Sequence, residues 1–161
     1  MIQRIQSVFL FLVSLVTITA ILVPMHYLSI SIQMEEGNSA ISAIGLVQQV
    51  VAVDNEIDKT TDYYKVGALA IIGIIAFTTI FLYKNRALQM RLVRLNIIAS
   101  FLFALGMAYF VYNYFNTIQV IDYSIKPAGC ITIASILLLN ILALKFIRKD
   151  DELVKSADRF R

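Results

Sequence analysis

The chain has 161 residues, of which 59% are hydrophobic and only 16% charged, and its mean hydropathy is +0.76. Soluble domains run at about half apolar and a quarter charged residues, so this composition excludes an ordinary soluble enzyme and leaves length for about four membrane spans of roughly 20 residues. One cysteine and one histidine exclude an internal disulfide and the usual metal-binding or nucleophilic clusters, and no cofactor is expected.

In chain order, the first apolar run, residues 8–27, is long enough to span. It reads as a retained helix and not as a signal peptide, because it exceeds a normal signal core and no small-residue cleavage site follows it. Pro24 is expected to end or kink this helix at the interface, beside the boundary residue His26. Residues 28–65 form a long mixed connection. Within it, Leu28-Ser29-Ile30-Ser31-Ile32-Gln33-Met34 alternates apolar and polar side chains, the period of a half-buried strand, and Glu35-Glu36-Gly37-Asn38 reads as a turn. Residues 41–53 are too short to span and read as either a second strand or an interfacial helix. The acidic series Asp54, Glu56, Asp58 and Asp62 lacks the glycine and closing glutamate of an EF-hand loop and reads as a solvated segment.

Residues 66–83 and 97–115 are uncharged and read as the second and third spans. The inner loop between them, residues 84–96, is short enough to make them antiparallel neighbours. Gly67, Gly73 and Ala76 on one span, and Ser100, Ala104 and Ala108 on the other, suit close helix packing. The last outer loop, residues 116–126, carries a second β-prone stretch at 117–123. Pro127 then opens the fourth span, residues 128–147, at a favoured first-turn position. Asn140 lies deep in this span and is the candidate interhelical polar contact, while Cys130 reads as a buried free thiol. In the tail, residues 148–161, Leu153, Ala157 and Phe160 share a helical stripe, and Asp151 and Lys155 form an i,i+4 pair; this helix is expected to lie on the membrane or on a partner. The expected fold class is a single all-α membrane domain over residues 1–161, with four transmembrane helices and a small β-containing extracytoplasmic cap built from the first and last outer loops.

Orientation follows from the basic residues. Arg4, Lys84, Arg86, Arg91, Arg94, Lys145, Arg148, Lys149, Lys155, Arg159 and Arg161, 11 of the 14, fall on the side of the termini, leaving Lys59, Lys65 and Lys126 opposite. Basic loops stay cytoplasmic, so both termini are expected inside. The four cores contain no Asp, Glu, Lys or Arg, which disfavours a transporter or proton relay, since ions exchange hydration for protein ligands at membrane depth. The candidate contacts for a partner or for lipid are therefore at the inner face: Arg86, Arg91, Arg94, Leu153, Lys155, Phe160 and Arg161.

Three segments carry a family resemblance: Met1-Ile2-Gln3-Arg4-Ile5-Gln6, Lys84-Asn85-Arg86-Ala87-Leu88-Gln89-Met90-Arg91-Leu92, and Asp151-Glu152-Leu153-Val154-Lys155-Ser156-Ala157-Asp158-Arg159-Phe160-Arg161. Together with Ile125-Lys126-Pro127-Ala128-Gly129 they resemble a family of small four-helix inner-membrane proteins from Bacteroidota, catalogued as a domain of unknown function. The resemblance implies a bacterial inner membrane and four spans, and supplies no catalytic residues. The expected function is a non-enzymatic accessory or scaffold subunit of a larger inner-membrane complex, with protein export or envelope assembly as the setting. The alternative is a small-molecule or lipid transporter or channel that builds its pathway as an oligomer. Membrane lipids and other inner-membrane subunits are the expected partners; nucleic acid and metal are not.

Overall fold

Four helices and five strands alternate in blocks: α1 (Gln3–Leu22), β1 (His26–Gln33), β2 (Ser39–Gly45), β3 (Gln48–Val53), β4 (Glu56–Thr61), α2 (Tyr63–Phe81), α3 (Arg86–Thr117), β5 (Val120–Ile125) and α4 (Pro127–Arg159). They come from a computed structural model that describes residues 3–23, 26–33, 39–53, 56–83, 85–117 and 120–159. All four helices are long and apolar enough to cross a membrane, consistent with a multi-pass membrane protein. Around the bundle α1 packs on α2 and α4, and α3 packs on α4 and α2.

Each helix presents a narrow inward stripe at three- and four-residue spacing. On α1 the stripe is Gln6, Leu10, Val13, Ser14, Thr17 and Ala20; on α2 it is Lys65, Leu69, Ile72, Ala76 and Thr79. Large apolar side chains such as Phe11, Ile18, Ile74, Phe101, Leu102 and Ile141 point outward instead. This is the distribution lipid demands: tails are as apolar as leucine, so the interior is selected for close approach and hydrogen bonding and not for hydrophobicity.

The connections at one end of the bundle build an antiparallel sheet in the order β4-β3-β2-β1-β5. The alternating stretch in the first connection forms β1, and it pairs with β5 from the last, Leu28 opposite Ile125 and Ile30 opposite Tyr123. Residues 41–53 form most of a two-stranded hairpin and not an interfacial helix, with Ile41 opposite Ala52 and Ile44 opposite Gln49. Two further residues, Leu46 and Val47, make its tip. Two-residue hairpin tips normally carry Asn, Asp or Gly, which tolerate the required backbone angles. Here the tip is buried, Leu46 at 0% and Val47 at 4% exposure, packed with Ile44, Leu69, Ile72, Val13, Ala20 and Met107 in the main core. The hairpin thus plugs the sheet end of the bundle with apolar side chains. It is also tied to α2, because the Asp62 N–H donates to Val47 O at 2.9 Å.

Several boundaries differ from the sequence expectation. The first helix ends at Leu22 and the chain is already in β1 at His26, so Tyr27 belongs to the sheet and the span is not 8–27. The acidic series contributes β4, Glu56–Thr61, an edge strand whose charge suits its position and pairs it with β3 alone. The second span starts at Tyr63 and includes Lys65. The loop of residues 84–96 largely disappears into α3. Asn85 caps that helix, its Oδ1 accepting the Leu88 N–H at 3.2 Å, and Gln89, Val93 and Asn96 continue the inward stripe through the basic residues. The tail is not a separate helix on the membrane surface, since α4 runs unbroken for 33 residues to Arg159. Pro24, the turn at 35–38, Asp54, Lys84, Phe160 and Arg161 lie outside the described residues.

The small residues have unequal roles. A Cβ on Gly73 would stand 2.5 Å from Thr17 Oγ1, so α1 and α2 approach closely only because Gly73 has no side chain. Gly67 has open space around it, and Ala108 is exposed. Gly73→Ala is therefore expected to lower stability by about 1–3 kcal/mol, and adding Thr17→Ala is expected to restore most of it, as read by thermal unfolding in detergent. Equal loss in the single and double variants would mean the clash is not the cause.

Candidate functional site

At the end opposite the sheet, two of the segments that carry the family resemblance meet Asp150, the residue just before the third. Gln6 Nε2 donates to Asp150 Oδ2 at 3.1 Å, Arg86 Nη1 donates to the Asp150 carbonyl at 3.2 Å, and Arg86 Nη2 stands 3.4 Å from Asp150 Oδ2. Gln89 Nε2 donates at 3.4 Å to the Thr79 carbonyl, on the last turn of α2. Gln6, Gln89 and Asp150 are buried. One carboxylate thus holds α1 and α3 to α4, while Gln89 holds α3 to α2. The space among Gln6, Ser7, Tyr83, Arg86, Gln89 and Asp150 is about 10 Å³, too small for any ligand larger than a water. Chemically the arrangement is a polar clamp across the helix ends.

Deeper in the bundle the polar groups are turned inward on their own helices. Ser14, Thr17, Thr78, Thr79, Ser100 and Ser135 donate to carbonyls three or four residues back. Asn140 differs. Its Oδ1 accepts from Asn96 Nδ2 at 3.1 Å across the α3–α4 interface, and its Nδ2 donates to Ile136 O at 3.0 Å. Both asparagines are buried, about 15 Å from the Arg86–Asp150 level at 1.5 Å per residue. The partner, Asn96, lay in the segment expected to be the inner loop. Its Oδ1 has no hydrogen-bond partner among the described residues. As a packing contact, Asn140→Leu is expected to cost about 0.5–2 kcal/mol, with Asn96→Leu adding little on top, in a double-variant thermal unfolding series. Loss of cellular function with unchanged abundance and unchanged copurifying proteins would instead favour a substrate role and the transporter alternative.

The inner-face candidates do not form one patch. Arg86 is engaged internally by Asp150, so its guanidinium is not free to read a partner. Arg91 and Arg94 are exposed one to two turns along α3 toward the membrane, with Arg94 Nε donating to Met90 O at 3.2 Å in its own helix. Leu153, 45% exposed, and Lys155 lie on the opposite side of the clamp, beyond Asp150, where Lys155 Nζ pairs with Asp151 Oδ2 at 2.6 Å. Arg94 and Lys155 are separated by about 20 Å along the helix axes. Phe160 and Arg161 lie outside the described residues. Cys130 is exposed on the first turn of α4 and is not a buried thiol. Among the described residues no group of three or more His, Cys, Asp or Glu is placed to hold a metal.

Sequence reasoning missed Lys65. Assigned to a loop, it is instead 1% exposed on the first turn of α2, with its Nζ 2.5 Å from Asp62 Oδ2 and 4.1 Å from the centre of the Phe110 ring. The spacing Asp62-x-x-Lys65 at the edge of an apolar run was the available signal, because Asp favours helix starts and i,i+3 partners share a face. Asp62 makes no side-chain cap bond to α2; its carboxylate faces Lys65.

The sequence model of a family described as a domain of unknown function, DUF4293, matches residues 2–160. The chain belongs to this family. The DUF4293 match covers the clamp, the sheet and all four helices, so it describes the whole fold as one unit. No curated protein matches the chain.

Proposed function

We propose that this DUF4293 protein is a non-enzymatic accessory or scaffold subunit of a larger complex in the inner membrane of a Bacteroidota bacterium, serving protein export or envelope assembly. Both termini are cytoplasmic and the sheet is extracytoplasmic, a reading supported by the 11 of 14 basic residues gathered toward the clamp end. The observation that carries the function is the run of α4 past the clamp. Asp150 is buried, yet the same helix continues to Arg159 with Leu153 and Val154 exposed, an apolar spot beyond the level at which the bundle ends its own packing. A protein partner would cover that spot and read the charges beside it. Arg91 and Arg94, nearer the membrane, suit anionic headgroups. The polar groups at depth bonded to their own helices support a packing role over a transport pathway.

The test is recovery of partners from the native membrane in gentle detergent, comparing the full chain with Leu153→Asp plus Val154→Asp and with a deletion from Glu152 onward that keeps Asp150. The expected result is loss of the copurifying proteins from both variants at unchanged abundance, with reporter fusions at the C-terminus reading as cytoplasmic. Copurification unaffected by either variant, or an external C-terminus, would overturn the reading.

A further inference from the structure

Lys65 sits at the polar end of a groove. Between α2 and α3, on the sheet side, the helices part to leave a cavity of about 270 Å³. Its deep part is apolar, formed by Ala68, Phe103 and Met107, and its upper part carries Tyr64, Lys65 and Asn113. From Asn113 to Phe103 is about 15 Å along α3, so polarity falls with depth over about the hydrocarbon thickness of one leaflet. Tyr64 and Tyr109 on the rim are well exposed, and the groove therefore opens on the outer surface of the bundle, where lipid lies. Gly106 lines it, and a Cβ there would meet nothing within 4 Å.

The ammonium in this groove is paired with Asp62, whose Oδ2 stands 2.5 Å away. It has three donors, yet among the described residues neither Lys65 Nζ nor Asp62 Oδ2 has a hydrogen-bond partner. It also lies over the rings of Phe110, at 4.1 Å, and Tyr64, at 5.7 Å. A buried ion pair repays its desolvation only when hydrogen bonds satisfy the remaining protons. Asp62 is the more exposed member of the pair, its side chain 19% exposed, and can turn outward.

We propose that the groove binds an anionic phospholipid, one acyl chain lying along Phe103 and Met107 and the phosphate taking the place of the Asp62 carboxylate on Lys65. The volume suits a length of one chain and not a whole lipid, so the headgroup and second chain stay in the bilayer. The order of the lining residues matches a lipid in its ordinary orientation, phosphate at the interface and tail toward the centre. A zwitterionic headgroup brings its own cation and gains less from Lys65. This site is independent of any partner at the clamp end.

The test uses the full chain in phosphatidylcholine nanodiscs doped with phosphatidylglycerol carrying a photoactivatable diazirine in its acyl chain, with labelled peptides located by mass spectrometry. Labelling is expected to concentrate between Phe103 and Asn113, and unlabelled phosphatidylglycerol is expected to compete about tenfold better than phosphatidylcholine of the same chains. Lys65→Met should abolish that preference. Asp62→Asn should increase it, because the competing carboxylate charge is removed. Gly106→Leu fills the groove from a position with free space and should remove the label even if Lys65→Met proves unstable. Equal competition by the two lipids, labelling spread evenly over all four helices, or undiminished labelling in Gly106→Leu would overturn the proposal.

Discussion

Replacing Leu46 and Val47 with Asn-Gly, the pair that two-residue hairpin tips favour, is expected to destabilise the protein by about 3–5 kcal/mol. Local backbone preference predicts the opposite sign. The two effects can be compared because they act on the same two residues: the tip chemistry is worth a fraction of a large core truncation, and Leu46 is a fully buried leucine in the main core. Leu46→Ala alone should account for most of the loss, about 2–5 kcal/mol, since it opens a cavity in the main core, which draws on all four helices. The measurement is thermal unfolding of the purified protein in detergent, with abundance in the membrane as a second readout. A gain in stability with Asn-Gly would show that the tip does not enter the bundle.

Asp150→Leu is the second large effect, expected to cost about 2–4 kcal/mol. Removing this one carboxylate leaves the Arg86 guanidinium without its counter-charge and Gln6 without its acceptor. The Arg86 side chain is 23% exposed, so water offsets part of the loss and the upper end of the range for a fully buried pair is not reached. Combining Asp150→Leu with Arg86→Leu should be less harmful than Asp150→Leu alone, because an apolar pair in place of a buried ion pair is often tolerated. Strict additivity of the two single losses would mean that Arg86 and Asp150 do not act on each other.

The spans were readable because an uncharged run of the right length has few alternatives, and β1 and β5 were readable because alternation and β-branched residues persist over several positions. What was not readable has specific causes. Glu56, Asp58 and Lys59 look like a solvated loop, and only the pairing with β3 makes them an edge strand. Arg86, Arg91 and Arg94 marked a loop by charge, while the inward stripe of Gln89, Val93 and Asn96 running through them marked a helix. Lys65 moved the start of the second span by three residues and hid the one buried cation on the inward stripe of α2. The clamp joins residues 64 and 144 positions apart, a distance at which no local pattern exists. The Asn96 partner of Asn140 was hidden for the same reason as the start of α3.

The strand order has a consequence for synthesis. Strands β1 to β4 are complete once Thr61 has been made and can pair with one another, but β1 remains a bare edge until β5 is made, after α2 and α3. That is a delay of roughly 60 residues, or about 3–12 s at ordinary rates of elongation. Through that interval an alternating, β-prone edge is open to any passing strand. Closure of the sheet by β5 therefore waits on the synthesis of α2 and α3, the two helices between β4 and β5, and a chain stalled before Val120 carries an unsealed β1 edge.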